Sequence, residues 1–322
     1  MKIGIVGCGL IGTKRAVAVG EHTIVLVADL DPARAESLAR EAGAKAATRW
    51  QDVVGANVDV VIVATSHDQL APIALAAVES GKHVLVEKPA GRHLDEVARL
   101  ARTAKEKGRF VKVGFNHRFH PALMKAREIV DAGALGPLMF LRARYGHGGR
   151  VGYEKEWRCQ KEISGGGELV DQGAHLIDLS RWFLGDLDLT FSHNPTFFWK
   201  TEVEDNSFLA LKSPTGQVAW LHASWSEWKN IFSFEIYGRN GKLAIDGLGG
   251  SYGVERLTHF RMRPEMGPPE AKSWEFSPPD RSWEVEFAEF AIAIREGREP
   301  LGNIHDAVAM HRIIGKAYGR AS

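Results

Sequence analysis

Short, continuous apolar runs separated by amphipathic stretches mark the first 120 residues. The runs at residues 2–6, 24–28, 58–64, 83–86 and 110–114 predict buried strands, with a shorter one near 46–48. Between them, apolar positions recur every three or four residues at about 10–19, 32–42, 70–80 and 94–107, which predicts helices. Apolar strands alternating with helices predict an α/β Rossmann layer, a parallel sheet with helices on both faces.

The pattern changes after residue 121. A helix over 122–132 ends at Gly133, and a strand follows at 137–145. In the stretch 164–185 three glycines, Gly165 to Gly167, lead into one predicted helix, and strands follow near 187–198, 207–211, 218–225, 232–237 and 242–245, with Asn240-Gly241 as a hairpin signal. Residues 263–279 hold five prolines and read as a long loop with one short strand at 273–276. Helices at 282–296 and 303–317 close the second half. This pattern predicts an α+β domain with a mostly antiparallel, open-faced sheet, and a division into domains 1–121 and 122–322.

A chain of 322 residues suits two domains. Its net charge of +1 gives no reason to expect nucleic acid or a membrane surface as partner. No run approaches the roughly 18 apolar residues of a membrane span. Two cysteines, Cys8 and Cys159, suit a reducing cytoplasm. The opening MKIGIVGCGL begins a strand and is not a signal peptide.

Candidate chemistry falls at three places. Gly7-Cys8-Gly9-Leu10-Ile11-Gly12 joins the first strand to the first helix. Gly7 permits the turn, Gly9 lets a pyrophosphate approach the helix N-terminus, and Gly12 lets helix and strand pack closely. Asp29, at the end of the second strand, suits the two ribose hydroxyls of NAD and would repel the 2′-phosphate of NADP. Ligands in such sheets bind beyond the strands' carboxyl ends, which singles out Thr65-Ser66-His67, Glu87-Lys88-Pro89 and Phe115-Asn116-His117-Arg118. A lysine beside a cationic nicotinamide and partly desolvated would have its pKa lowered toward acid–base range, so Lys88 is a candidate catalyst. In the helix after Gly165 to Gly167, Asp171, His175 and Asp178 are spaced to share one face. As a metal site that trio has no further ligand pair with convincing spacing.

With GCGLIG, EKP, GFNHRFHP and GGGELVDQGAHLIDLSRWFLG in family order and spacing, the chain resembles the glucose–fructose oxidoreductase, inositol dehydrogenase and rhizopine-catabolism family over essentially its whole length. That resemblance implies an NAD-dependent dehydrogenase with Lys88, His175 and Asp171 at the reacting carbinol. Cofactor contacts are expected from Gly7, Gly9, Leu10, Ile11, Gly12, Asp29, Thr65, His67, Glu87, Lys88 and Asn116. It also implies a homodimer or homotetramer formed through the C-terminal sheet. The Thr65-Ser66-His67-Asp68 line departs from the family's Thr-Pro-Asn pattern, so His67 is assigned only as lining the cleft.

The basic stretch 142–161 suggests an anionic substrate held by Arg144, Arg150 and Arg158 together with Lys88, Asp171 and His175. Its glycines, Gly148, Gly149 and Gly152, would let backbone approach a ligand. The same stretch resembles UDP-N-acetylglucosamine 3-dehydrogenases, so a nucleotide sugar is the expected substrate, with a free sugar or an inositol as the alternative. A non-catalytic nucleotide-sensing regulator is the reading from another class, and the joint presence of Lys88, Asp171 and His175 argues against it.

Overall fold

The computed structural model describes residues 1–320, which form two compact units. The first comprises Met1–Phe115, Glu162–Gly165 and Trp283–Arg312; the second comprises Asn116–Lys161, Gly166–Ser282 and the C-terminal residues from Ile313. Residues 283–312 thus belong with the dinucleotide-type unit, whereas the linear boundary at 121 leaves them in the other. Their membership has a packing reason. Phe287 and Phe290 are fully buried in one cluster with Ile3, Ile5, Val27, Val60, Ile62 and Leu85.

The first unit is a six-stranded parallel sheet in the order β3-β2-β1-β4-β5-β6. Its strands are β1 (Lys2–Val6), β2 (Thr23–Ala28), β3 (Lys45–Ala47), β4 (Val60–Val63), β5 (His83–Val86) and β6 (Val111–Val113). The helices between them are α1 (Leu10–Ala18), α2 (Pro32–Ala42), α3 (Trp50–Gly55), α4 (His67–Glu79) and α5 (Leu94–Lys107). Helix α3 is absent from the sequence reading, being too short to show a period. Local signals end the others where they stand. Asp31 caps α2 by accepting from the Ala33 N–H, Pro32 follows it, and Gly43 stops the helix in the left-handed region at φ +63°.

The second unit starts with a short 3₁₀ turn, Asn116–Phe119, and α6 (Pro121–Asp131). Its eight-stranded sheet holds β7 (Leu138–Gly146), β8 (Asp188–His193), β9 (Asn206–Lys212), β10 (Val218–Ser224), β11 (Ile231–Gly238), β12 (Gly241–Asp246), β13 (Glu255–Arg261) and β14 (Glu270–Phe276). Their order is β14-β13-β12-β11-β7-β10-β9-β8, and β7 with β10 is its parallel pair. Strand β13 was not anticipated, and β14 is longer than the four residues expected; each makes the other regular by pairing over seven residues. The hairpin pairs Gly238 with Gly241, so its two-residue loop is Arg239-Asn240 rather than Asn240-Gly241.

One face of this sheet is core: Leu141, Ala143, Tyr145, Leu221, Ala223, Phe232, Phe234 and Ile236 are all buried. Helix α6 packs on the β12–β14 side and α8 (Ala174–Leu184) on β7 and β10. The opposite face is open, as the alternation requires. It is less apolar than its aromatic content implies, because Tyr237 carries Arg142 and Lys242 over its ring and both cations also reach Glu235 at 2.8 Å. Helices α9 (Ser282–Glu296) and α10 (Ile304–Ala317) complete the chain, preceded at the middle by the four-residue α7 (Lys161–Ser164). No described helix is long and apolar enough to cross a membrane.

Candidate active site

In the first unit the fingerprint forms an open cradle. Gly7 has φ +93°, and a Cβ there would overlap the Ala64 carbonyl. A Cβ at Gly12 would overlap the Gly7 carbonyl oxygen, so α1 lies against β1 in a way only glycine allows. Gly9 is the N-cap of α1, has no side-chain cap, and faces open space where its Cβ would be. The helix thus presents bare backbone N–H groups at its positive end, which fits a pyrophosphate. Asp29 closes the loop: its carboxylate accepts from the Cys8 N–H at 2.7 Å and the Asp31 N–H at 2.9 Å. Leu10 is exposed beside this cradle and Ile11 is half-buried.

The other predicted cofactor contacts divide. Thr65 and Ser66 lead into α4, and buried His67 places Nδ1 2.9 Å from the Ser164 carbonyl, a hydrogen bond that ties α4 to the end of α7. Glu87 is buried. It receives the guanidinium of Arg15 at 2.6 Å, and Arg15 also donates to Glu286 at 2.5 Å, while Lys112 lies 3.0 Å from the other Glu286 oxygen. Arg15, Lys112 and Glu286 are fully buried, so two cations and two anions neutralise each other in the core. Burial works against the charged form of Arg15, but Glu286 and Glu87 more than offset it and hold its pKa above the usual range. Arg15 is a residue that sequence reasoning missed, because Lys14-Arg15 on a short helix reads as a solvated pair. Lys88 is half-buried and joined to Pro89 by a cis peptide, and the Pro89 carbonyl accepts from His311 Nε2 at 2.8 Å.

In the second unit, the helix predicted after Gly165 to Gly167 is two pieces. Gly165 follows α7, and a π-helical turn at Leu169–Gly173 precedes α8. The glycines are needed for packing: a Cβ at Gly166 would overlap the Tyr318 hydroxyl, and one at Gly167 the Glu204 carbonyl. Glu204 then fixes the start of the π turn, its Oε1 accepting from the Gly167 N–H at 3.0 Å, the Leu169 N–H at 3.1 Å and the Tyr318 hydroxyl at 2.5 Å. A π turn inserts an extra residue between Asp171 and the regular helix, a feature concentrated at functional sites.

The three side chains singled out on this segment go to three partners. His175 is buried and stacks on His117, with ring centroids 3.7 Å apart and planes 17° from parallel. Asp171, half-buried in the π turn, lies 3.5 Å from Arg158 Nε. Asp178 is fully buried and takes a two-pronged bond from Arg118, at 2.8 and 2.5 Å, so it serves the core. Among the described residues no group of three or more His, Cys, Asp or Glu side chains is arranged to hold a metal ion.

The Asn116–Phe119 turn therefore supplies both the stacking ring and the Asp178 partner. Asn116 Nδ2 donates to Ser282 Oγ at 3.1 Å, and its Oδ1 lies 3.2 Å from His117 Nδ1, which orients that imidazole. Tyr145, on the core face of β7, places its ring 5.2 Å from His117 and 6.2 Å from His175. Burial, then the neighbouring Tyr252, Asp171 and Glu168, push the Tyr145 phenol well above its ordinary pKa, so it stays a neutral donor.

The basic stretch does not converge on an anion site. Arg144 lies one residue before Tyr145 on β7 and so projects from the opposite, open face of the sheet. Arg150 is largely exposed and paired with Glu156 at 2.6 Å. Only Arg158 reaches the helix segment, and it is shared between Asp171 and Glu156. The cluster is thus largely compensated by its own carboxylates.

The NAD-binding Rossmann fold model of the oxidoreductase family matches residues 1–115, and the GFO/IDH/MocA C-terminal domain model matches residues 123–244. This chain belongs to the glucose–fructose oxidoreductase, inositol dehydrogenase and rhizopine-catabolism family. Levoglucosan dehydrogenase of Pseudarthrobacter phenanthrenivorans is 25% identical over 286 residues, covering 76% of this chain and 73% of that protein. Inositol 2-dehydrogenase 2 of Saccharopolyspora erythraea is 32% identical over 228 residues, 67% of this chain and 64% of that one, just under two thirds of its length. Among solved structures, levoglucosan dehydrogenase in complex with NADH and L-sorbose superposes with a TM-score of 0.88 at 22% identity, covering 99% of this chain and 97% of that one. The protein is an NAD-binding oxidoreductase acting on hydroxyl groups, and the cradle at Gly9 with Asp29 at the end of β2 fits that dinucleotide.

Proposed function

We propose that this family member oxidises a secondary hydroxyl of a free sugar, a glycoside or a cyclitol. The observation that carries this reading is the stacked His175–His117 pair, with Asp171 in the π turn just before it. His175 takes the hydroxyl proton, with Lys88 sharing that role; Asp171 orients the substrate or His175. His117 holds the imidazole plane of His175, and its own ring is oriented by Asn116. When bound, the nicotinamide of NAD supplies the hydride acceptor for the carbinol carbon. Gly7, Gly9, Leu10, Ile11 and Gly12 would hold its pyrophosphate and Asp29 its adenine ribose, the charge of that carboxylate repelling a 2′-phosphate.

A diphosphate substrate is disfavoured by the internal pairing of Arg150 and Arg158 and by the outward course of Arg144. Free-sugar and inositol chemistry also accords with the names of the relatives above. A second copy is assigned to the open face of the β7–β14 sheet, and sedimentation of the purified protein checks it.

The test is reduction of NAD in the presence of inositols, monosaccharides, simple glycosides and UDP-N-acetylglucosamine. Turnover with a free polyol or glycoside is expected. Turnover with the nucleotide sugar alone would reinstate the anionic substrate and overturn the assignment.

A further inference from the structure

Apart from the Phe191–Trp220 stack, the exposed aromatic side chains of the second unit lie together at a place that the chemistry above does not use. Phe197, Phe198 and Trp228 are 67%, 55% and 64% exposed. The rings of Phe198 and Trp228 meet edge to face at 4.6 Å, and Trp199 stands 5.2 Å from Phe198. Large exposed apolar clusters of this kind mark contact surfaces.

The cluster is built rigidly. The buried carboxylate of Asp205 accepts from the successive backbone N–H groups of Phe197, Phe198 and Trp199 at 2.8, 2.7 and 2.8 Å. The Trp199 indole N–H donates to the Trp225 carbonyl at 2.9 Å. Trp228 holds φ +56°, a left-handed conformation costly for a bulky side chain and kept only where the surroundings enforce it. Gly148 and Gly149, expected to bring backbone to a ligand, instead bring it to these rings. A Cβ at Gly149 would overlap the Trp199 indole, and one at Gly148 would stand 3.1 Å from the Trp228 Cα.

The cluster is continuous with Asp171. Trp199 lies 5.7 Å from the Tyr153 ring, which carries the Arg150 guanidinium at 5.5 Å. Arg150 pairs with Glu156, Glu156 lies 3.8 Å from Arg158, and Arg158 lies 3.5 Å from Asp171. Exposed rings beside charged hydrogen-bonding groups suit a ligand with C–H faces and hydroxyl edges.

We propose that Phe198 and Trp228 form an outer subsite for a second pyranose ring, so that the preferred substrate is a glycoside of two rings. This rests on the reading that Asp171 and His175 handle a carbohydrate hydroxyl. The C–H face of a pyranose carries slight positive charge and complements the negative face of an aromatic ring. Rings already held in place lose little freedom when they bind. Arg150 and Glu156 supply a donor and an acceptor for the ring hydroxyls.

The experiment compares kcat/KM for methyl glucopyranosides with that for glucose disaccharides of matching linkage, in the wild-type holoenzyme and in Trp228→Ala, Phe198→Ala and Phe198→Tyr. The disaccharide-to-methyl-glycoside ratio is expected to fall about tenfold in each alanine variant and to be kept by Phe198→Tyr. An unchanged ratio overturns the subsite. Quenching of tryptophan fluorescence by the same disaccharides reads binding without turnover. If no sugar is oxidised, the functional reading fails, yet quenching lost in Trp228→Ala still supports the subsite, and no quenching in the wild type overturns it. A change in sedimentation for Trp228→Ala assigns the rings to a contact between copies of the chain and also overturns it.

Discussion

The imidazole of His175 lies flat on that of His117, 3.7 Å between centroids. One ring comes from α8 and the other from the turn after β6, 58 positions earlier in the chain. The stack fixes the plane of a candidate base. His175→Ala should lower kcat/KM by roughly a hundredfold to ten-thousandfold, the usual contribution of a general base. His117→Phe keeps a flat ring at the same place and should retain far more activity than His117→Ala. Steady-state kinetics on the substrate found by the screen measures both. Near wild-type turnover in His175→Ala and Lys88→Ala together would sink the catalytic assignment.

Glu87 precedes Lys88, yet its side chain belongs to Arg15 and, through it, to Glu286. Glu87→Ala should therefore act first on folding. Breaking a buried, hydrogen-bonded charge set leaves an uncompensated charge and costs about 3–5 kcal/mol. Glu286→Ala should cost about as much for the same reason. Urea unfolding gives the comparison. A normally stable Glu87→Ala protein with only a weakened affinity for NAD would restore Glu87 as a cofactor contact.

Asp178 and Arg118 form a buried two-pronged pair. Asp178→Ala should destabilise by about 3–5 kcal/mol, and the folded fraction should keep its KM. Replacing both partners by apolar residues of similar volume should recover much of the loss, since nothing charged is then left buried. Thermal melting of the single and double variants distinguishes this from a substrate contact, for which KM would rise with stability intact.

Glu204 is buried, and burial pushes its carboxyl pKa up despite hydrogen bonds from Tyr318, Leu169 and Gly167. An acid whose folded pKa is raised stabilises the fold fully below its unfolded pKa, and that contribution is lost as pH rises through the folded value. The wild type should therefore lose this increment on going from acid toward neutral pH. Glu204→Gln keeps an acceptor for all three donors and cannot ionise, so its stability should be flatter over that range and higher than wild type at neutral pH. Unfolding curves at several pH values measure it; a parallel pH dependence in the two proteins contradicts the assignment.

Much of the fold was readable because its cause is local. Buried parallel strands are apolar throughout, helices repeat at 3.6 residues, and Asp31, Pro32 and Gly43 mark the ends of α2 within a few residues of where they act. The glycine turn was readable in part for the same reason: the steric demand at Gly12 comes from Gly7, five residues away, whereas that at Gly7 comes from Ala64 on the neighbouring strand's end. Strand β13 was missed because Glu255–Arg261 holds no continuous apolar run, and pairing with β12 and β14 makes it a strand.

The sequence by itself determined the alternation of strands and helices in the first unit apart from α3, the dinucleotide cradle and the identity of His175 and Asp171 as side chains in need of an explanation. Only the tertiary structure decided what each charged side chain meets. Arg144 turns to the open face because Tyr145 beside it is core, and a strand alternates. Asp178 serves Arg118, Glu87 serves Arg15, and the second-unit glycines serve Tyr318, Glu204, Trp199 and Trp228. Periodicity reports which side of an element faces the core. The partner waiting there comes from a distant part of the chain, and the charge it carries decides whether a polar residue holds the fold together or remains for chemistry.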